Sequence, residues 1–577
     1  MANKLELTWV GKENEIKVEP RILIENPALS NMSHKTAGQA SLFDAENADN
    51  FDNMLIHGDN LLALKALESR FAGQVKCIYI DPPYNTGSAF EHYDDNLEHS
   101  TWLSLMRPRL KLFQHLLSDD GVILISIDDD ECAYLKVLCD EIFERHNFQN
   151  MLTIETGEVF GKKAAHIKKS FVKVKDYILV YSKDSNKLKD ITPLWTATNE
   201  VFDPHYSIYI DESMKKSSLI GILKEKQWIV DIFNTYQIPI RLENVSKVME
   251  LDAKFKKYVY DELSNNIYQD QPYTKNISEN LANVMKEGEI HNIDGILVFK
   301  TKSGSFRYYQ AFSNALHCTD DYKSECTRST ARGDLWKNYH IDMRNVDDEG
   351  DVKFKSSKKP ERLIRDLLKA YTKTNDLILD SFLGSGTTAA VAQKMGRRWI
   401  GIEMGDHAYT HCKVRLDKVI DGSDQGGISK SVNWKGGGGY RFYELAPTLV
   451  VTDKFGNPVI NKEYNADMLA AAMALQEGFK YCPDDTFYWK QGKNENAYIF
   501  TTTSHVTADY LASIHSEMQD DEYLVIACKT YDSGIEKLFK NITVKKIPQV
   551  LLGRCEFGKN DYSLNIVDMP IVEEEDE

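Results

Sequence analysis

Val75-Lys-Cys-Ile-Tyr-Ile80-Asp81-Pro82-Pro83-Tyr84 is the stretch whose reading decides the fold. The apolar run Val75, Cys77, Ile78, Tyr79 and Ile80, bounded by Gly73 and a Pro-Pro pair, predicts a buried parallel strand broken at its carboxyl end. Asp81 then stands at the mouth of the sheet, where open α/β sheets hold their ligands. The two prolines lock the backbone and remove two N–H donors while keeping both carbonyl acceptors. The product is a small rigid group of acceptors beside an aromatic ring.

Such a group suits the gripping of an exocyclic amino group. The Asp81 carboxylate and the Pro82 carbonyl accept its two hydrogens while Tyr84 stacks on the ring that carries it. An Asp before prolines is also a common turn, so the argument needs its other half. That half is Leu377-Ile-Leu-Asp380-Ser-Phe382-Leu-Gly384-Ser-Gly386-Thr387-Thr388, a helical stretch through Met395, and Trp399-Ile-Gly-Ile-Glu403. It reads as strand, glycine turn, helix, strand and terminal acid, the arrangement that holds a nucleoside cofactor with the acid on the ribose hydroxyls.

Asp81-Pro-Pro-Tyr84 with Asn85-Thr86-Gly87, and the Asp380 to Thr388 block downstream, resemble the S-adenosylmethionine-dependent amino-methyltransferases of DNA, in the motif order of their β class. More narrowly, Leu5-Glu-Leu-Thr-Trp9-Val-Gly-Lys12 with Glu19-Pro-Arg-Ile-Leu23, and Trp434-Lys-Gly-Gly-Gly-Gly-Tyr440-Arg-Phe-Tyr-Glu444, resemble the modification (Mod) subunits of type III restriction-modification systems. The resemblance covers most of residues 1–445 in scattered blocks, is faint in the middle, and is only general beyond 446.

That resemblance implies a doubly wound, mostly parallel, Rossmann-like α/β sheet with an inserted target-recognition domain and a small α/β C-terminal domain. It implies methyl transfer from S-adenosylmethionine to N6 of a flipped adenine in duplex DNA, with Asp81, Pro82, Pro83 and Tyr84 catalytic. Hydrogen bonds from N6 to Asp81 and Pro82 draw the nitrogen toward tetrahedral character and free its lone pair for attack. Asp59, facing the cofactor adenine, and Lys359, in the Lys-Pro that opens a helix at its methionine end, become cofactor residues together with Asp380, Phe382, Gly384, Gly386, Thr387, Thr388 and Glu403. Methyl transfer requires no metal, and Asp128, Asp129 and Asp130 read as a helix cap with solvated neighbours. Asp at position 81 favours adenine over cytosine N4, where the family more often carries Ser. The implied partners are duplex DNA, a second copy of the chain, and a separate helicase-nuclease restriction subunit, because neither a Walker motif nor a nuclease signature is apparent in this chain. The alternative is a stand-alone adenine or cytosine-N4 methyltransferase.

At 577 residues the chain is too long for one ordinary core. No signal peptide is evident and no apolar run approaches the roughly 20 residues of a membrane span, so a cytoplasmic protein is expected. The nine cysteines are scattered without Cys-x-x-Cys pairs. They suit a reducing compartment, with Cys318 and Cys326 nearest to a pair but not expected to be joined. The formal charge of -17 looks wrong for a DNA binder. It is uneven, however: residues 446–577 carry a net -10, whereas 161–190 carry +6. Local fields, not the sum, steer a polyanion.

Five segments follow: an N-terminal arm (1–50) with a short strand from Leu5 to Val10, a catalytic half (51–190), a target-recognition domain (191–333), a cofactor-binding half (334–445) and a C-terminal α/β domain (446–577) for subunit contacts, ending in an acidic tail. Candidate DNA contacts are Lys162, Lys163, Lys168 and Lys169, in a basic run that continues to Lys173 and Lys175, and Lys300, Lys302 and Arg307 on a hairpin turning at Ser303-Gly304. A solvated face and a half-buried hairpin are the plainer readings of both.

Overall fold

The computed structural model describes residues 6–14, 16–32, 53–84, 99–159, 171–275, 285–354, 358–547, 551 and 557–558. The chain forms two compact units, 1–192 with 334–577, and 193–333.

The first unit is organised on an 11-stranded sheet in the order Leu23–Glu25, Gly439–Leu445, Met54–His57, Arg398–Glu403, Leu377–Asp380, Val75–Ile80, Leu117–Ile127, Lys175–Ser182, Phe148–Glu155, Leu335–Trp336, with Asn31–Met32 paired to Gly439–Leu445 off this path. The six strands from Gly439–Leu445 to Leu117–Ile127 are mutually parallel, and Lys175–Ser182 is antiparallel to both its neighbours. This is a doubly wound α/β sheet. Strands of the central block read as continuous apolar runs because both faces are covered. Ile78, Ile80, Ile123, Ile125, Leu379 and Ile402 enter one core with helices Asn60–Phe71, His99–Leu116 and Asp129–Ile142. Residues of the opposite parity, among them Cys77, Tyr79, Leu124 and Ile378, are equally buried.

Val75–Ile80 and Leu377–Asp380 are neighbours in space although about three hundred residues apart in sequence. The chain therefore crosses over between them, and their carboxyl ends open at a topological switch point.

The described part of the N-terminal segment packs on this unit. Leu7 N–H donates to Glu141 Oε1 at 2.7 Å, and Trp9 Nε1 donates to Ser104 Oγ at 2.8 Å. The strand expected from Leu5 to Val10 is not formed over the described residues 6–10. Its apolar side chains dock onto helices instead of joining a ladder. Toward the C-terminus a five-stranded sheet, Lys480–Tyr481, Gly492–Asn494, Ala497–Val506, Tyr523–Tyr531 and Ile542–Lys546, packs with helices Ala466–Glu477 and Ala508–Glu517. The acidic tail lies outside the described residues.

The second unit carries a six-stranded antiparallel sheet and a core of Phe202, Phe233, Phe255 and Phe312. The hairpin pairs Lys300 with Phe306 across a turn in which Gly304 has φ +84°. The expectation of unpaired cysteines fails here: Cys318 and Cys326 form a disulfide. They are directly opposed on the antiparallel strands Leu316–Cys318 and Cys326–Ala331, a register that spacing along the chain does not reveal.

Candidate active site

The parallel strands bring their terminal acids to one edge. Asp81 follows Val75–Ile80, Asp380 ends Leu377–Asp380, Glu403 ends Arg398–Glu403, and Asp59 lies two residues past Met54–His57.

The Asp81 to Tyr84 loop is held from several sides. The indole N–H of the fully buried Trp102 donates to Pro83 O at 2.8 Å. The Tyr84 hydroxyl shares a 2.7 Å hydrogen bond with Ser126 Oγ on the neighbouring strand. Lys359 Nζ donates to both Asp81 oxygens, at 2.8 and 2.7 Å, and sits 4.8 Å from the centre of the Tyr84 ring. The second acid of this group is Asp176, on Lys175–Ser182. Burial pushes its carboxyl up, Lys359 pulls it back, and the Asp81 charge adds to the rise.

The glycine turn is built from Asp380, whose Oδ1 accepts from Phe382 N–H at 2.9 Å, and from Gly384 and Gly386, at φ +54° and +80°. Left-handed backbone at these positions favours glycine. A Cβ on Gly386 would also lie 3.3 Å from Cys412 Cα. Gly384 N–H donates to Glu403 Oε2 at 2.7 Å, which ties the turn to the acid of the next strand. Burial pushes the Asp380 carboxyl up to about 7, with the Asp81 and Glu403 charges adding to it against hydrogen bonds from Thr388 and Phe382.

Behind the turn lies a buried ion cluster. Arg415 donates to Thr387 Oγ1 at 2.7 Å and to Ser385 O at 3.3 Å, and its other nitrogen to Glu361 Oε1 at 2.8 Å. Lys394 bridges both Glu361 oxygens, at 2.9 and 2.8 Å, and reaches Asp424 at 2.7 Å. Burial works against the Glu361 charge, but Arg415 and Lys394 outweigh it and hold its carboxyl below the ordinary range.

The structure brings Asp81, Pro82, Pro83, Tyr84, Asp380, Phe382, Gly384, Gly386 and Glu403 to one edge. Thr387 and Thr388 are buried in support of the turn. Lys359, expected on a cofactor, lies on Asp81. Asp59 is buried, accepts from Leu62 N–H at 3.0 Å as a helix cap, and approaches Arg109 at 3.5 Å. Lys162, Lys163, Lys168 and Lys169 lie outside the described residues. Of the same basic run, Lys173 pairs with Asp128 and Lys175 with Asp129, while the Asp128 side chain caps the following helix. Arg307 is engaged by Asp270 at 2.7 Å, Lys300 ends the first strand of the hairpin, and Lys302 lies within its turn.

Sequence reasoning misses Trp102, Ser126, Asp176, Glu361, Lys394 and Arg415. Only Arg415 left a trace: it falls on the helical stripe of Ala408, Cys412 and Val419, where an arginine is out of place unless paired. A cavity of about 330 Å³ lies at the opposite, amino ends of the strands, lined by Lys76, Asp120, Lys189 and Asp376 among others. Lys76 and Lys189 both pair there with Asp120, at 3.1 and 2.9 Å. It contains none of the groups just described.

Fold and site together define a doubly wound α/β domain with an acceptor loop and a glycine turn on adjacent strands of one switch point. Residues 75–413 match the N6_N4_Mtase family of DNA methylases, and the chain belongs to that family. It is 38% identical over 415 residues to a probable type III restriction-modification enzyme HindVI Mod subunit from Haemophilus influenzae, a match covering 69% of this chain and 54% of that protein. It is 30% identical over 439 residues to the type III restriction-modification enzyme EcoPI Mod subunit of Escherichia phage P1, covering 66% of this chain and 60% of that protein. A third relative is the type II methyltransferase M.EcaI of Enterobacter cloacae, 27% identical over 391 residues, covering 67% of this chain and 74% of that protein. The chain thus spans between half and two-thirds of the length of the two Mod subunits.

Proposed function

We propose that this chain transfers a methyl group from S-adenosylmethionine to N6 of an adenine flipped out of duplex DNA, as the modification and recognition subunit of a type III restriction-modification system. The observation that carries the reading is the adjacency of the Asp81–Pro82 acceptors and the Gly384–Gly386 turn at one switch point. When bound, S-adenosylmethionine supplies a methyl group activated by a sulfonium. The residues present fit such a cation: the Asp380 and Glu403 carboxylates lie at the edge beside the glycine turn, and that turn allows close approach of a ligand to the backbone. Asp81 and the Pro82 carbonyl accept the amino hydrogens, Tyr84 offsets lost base stacking, and no covalent enzyme intermediate is needed. The matches to Mod subunits support the type III assignment, with a second copy of the chain and a helicase-nuclease subunit as partners. The segments 1–50, 51–190, 191–333, 334–445 and 446–577 would then serve as arm, catalytic half, target reader, cofactor half and subunit contact. Among the described residues no helix is long and apolar enough to cross a membrane.

The match to M.EcaI, which extends over more of that protein than the Mod matches do of theirs, favours a second reading as a stand-alone methyltransferase. Co-purification with a helicase-nuclease chain separates the two. The primary test is single-molecule sequencing of DNA from cells expressing the chain. N6-methyladenine at one defined site is the expected result; N4-methylcytosine there, or no modified base, would end the adenine assignment.

The Asp380 carboxyl at about 7 gives a further prediction. Below that pH the group is neutral, and above it carries the charge that favours a bound cation. Affinity for S-adenosylmethionine should therefore rise with pH, by about tenfold from pH 6 to pH 8 if one proton is fully coupled. Calorimetry across that range measures the slope, and Asp380→Asn should flatten it. A wild-type profile already flat would remove Asp380 from cofactor binding.

A further inference from the structure

Lys359 lies against both groups that the target base is proposed to engage. Its ammonium donates to each oxygen of Asp81, at 2.8 and 2.7 Å, and lies 4.8 Å from the Tyr84 ring centre. An ammonium has three N–H donors and no acceptor, as a gripped amino group would also present only hydrogens to Asp81. Lys359 is therefore a chemical stand-in for that amino group, supplied by the chain itself.

The lysine is not a side chain reaching from a loose loop. On one side Lys358 donates to Glu349 O at 2.5 Å and Val352 O at 2.9 Å. On the other, Pro360 fixes φ and Glu361 is locked into the ion cluster with Lys394 and Arg415. The backbone carrying Lys359 is thus anchored through Glu361 and Arg415 to Ser385 and Thr387 of the glycine turn. Among the described residues, the acids that interact electrostatically with Asp81 include Asp176 on the Lys175–Ser182 strand and Asp380 on the Leu377–Asp380 strand; Lys359 is bonded to Asp81, and both Lys359 and Lys173 act on Asp176.

We infer that Lys359 is a positioning residue for the target base: it holds the Asp81 carboxylate in place beside Tyr84 before the base enters and yields lone pairs of that carboxylate to the incoming amino group. This rests on the proposed amino-methylation and adds to it a residue that acts through Asp81 rather than on the cofactor. Each carboxylate oxygen keeps acceptor capacity beyond the bond to Lys359, so the two donors need not exclude each other.

The test compares wild type, Lys359→Met, Asp81→Ala and the double variant, using tritiated S-adenosylmethionine and unmethylated genomic DNA, with calorimetry of S-adenosylmethionine binding on each. Lys359→Met should lower kcat by about ten- to hundredfold, the scale of a misplaced reacting group. KM for DNA should stay level or fall, and cofactor affinity should stay within about twofold. The double variant should be no slower than Asp81→Ala alone, because the lysine has nothing left to act through. A loss of cofactor affinity matching the loss of rate would make Lys359 a cofactor ligand and overturn the inference. So would a kcat at the wild-type level, or an additive loss in the double variant. A wild-type chain that methylates no DNA would instead sink the amino-methylation reading itself.

Discussion

Asp81→Ala is expected to lower methyl transfer by at least about 10²–10³-fold, the range seen when one preorganised polar contact to a reacting centre is deleted. The exocyclic nitrogen is a poor nucleophile because its lone pair is delocalised into the ring. Only an acceptor fixed before the base arrives can reorganise it without an added energetic cost. Asp81 meets that condition, since it follows a strand buried on both faces, precedes two prolines and is gripped by Lys359. Cofactor affinity should change far less than rate, because Asp380 and Glu403 remain. Tyr84→Ala should likewise cost rate rather than cofactor affinity. Removing a carboxylate also strands a half-shielded lysine, so Asp81→Asn, which keeps the shape and one acceptor, belongs in the same experiment. Single-turnover methylation and cofactor calorimetry on these variants give the answer. Wild-type rates from Asp81→Ala would exclude the acceptor role, and equal losses of rate and affinity would move Asp81 to the cofactor.

The parts of this site that were readable in the sequence are those with a local cause. Val75 and Cys77 to Ile80 announce a buried strand by an apolar run interrupted only at Lys76, Pro82 announces its end, and Gly384 and Gly386 announce a left-handed turn. That Asp81 and Asp380 share an edge was not readable from spacing. It came from motif order and resemblance, because strand adjacency across three hundred residues leaves no periodic signal. Contacts set by register or burial stayed hidden for the same reason. Glu361 after Lys-Pro looks like an ordinary acid in a first helical turn, yet it is completely buried. Cys318 and Cys326 look too scattered to bond until the ladder sets them face to face. Lys173 and Lys175 look like a phosphate-seeking run, but they neutralise the acids at the start of the helix after Leu117–Ile127. Leu7 and Trp9 look like alternating strand residues, but they fill a helical surface.

Glu361→Gln should destabilise the first unit by about 3–5 kcal/mol, the cost of breaking a buried ion pair from one side. Glu361, Lys394 and Arg415 are fully buried and Asp424 nearly so. Without the Glu361 charge, Lys394 keeps Asp424, but Arg415 is left facing Glu349, whose carboxyl burial pushes up to about 8. The sign with pH follows from the lowered Glu361 carboxyl: its contribution is full above the ordinary glutamate range and is lost as the pH falls below it. Apolar side chains of similar volume could fill this space at no cost in stability, so packing alone does not account for the charges. What the ions add is direction. They join Glu361, two residues from Lys359, to Arg415, which holds Ser385 O and Thr387 Oγ1 of the glycine turn. The two halves of the site, distant in sequence, are thereby kept in one register. Glu361→Gln should accordingly lower both the first unfolding transition and cofactor affinity. Adding Arg415→Met, which removes the cation left without its carboxylate, should recover much of the unfolding midpoint but not the affinity, because Ser385 and Thr387 then lose the guanidinium that holds them. Scanning calorimetry and cofactor titration on the two variants test this separately. If affinity returned together with stability, the cluster would act as packing, and the register of the turn would have to be set elsewhere.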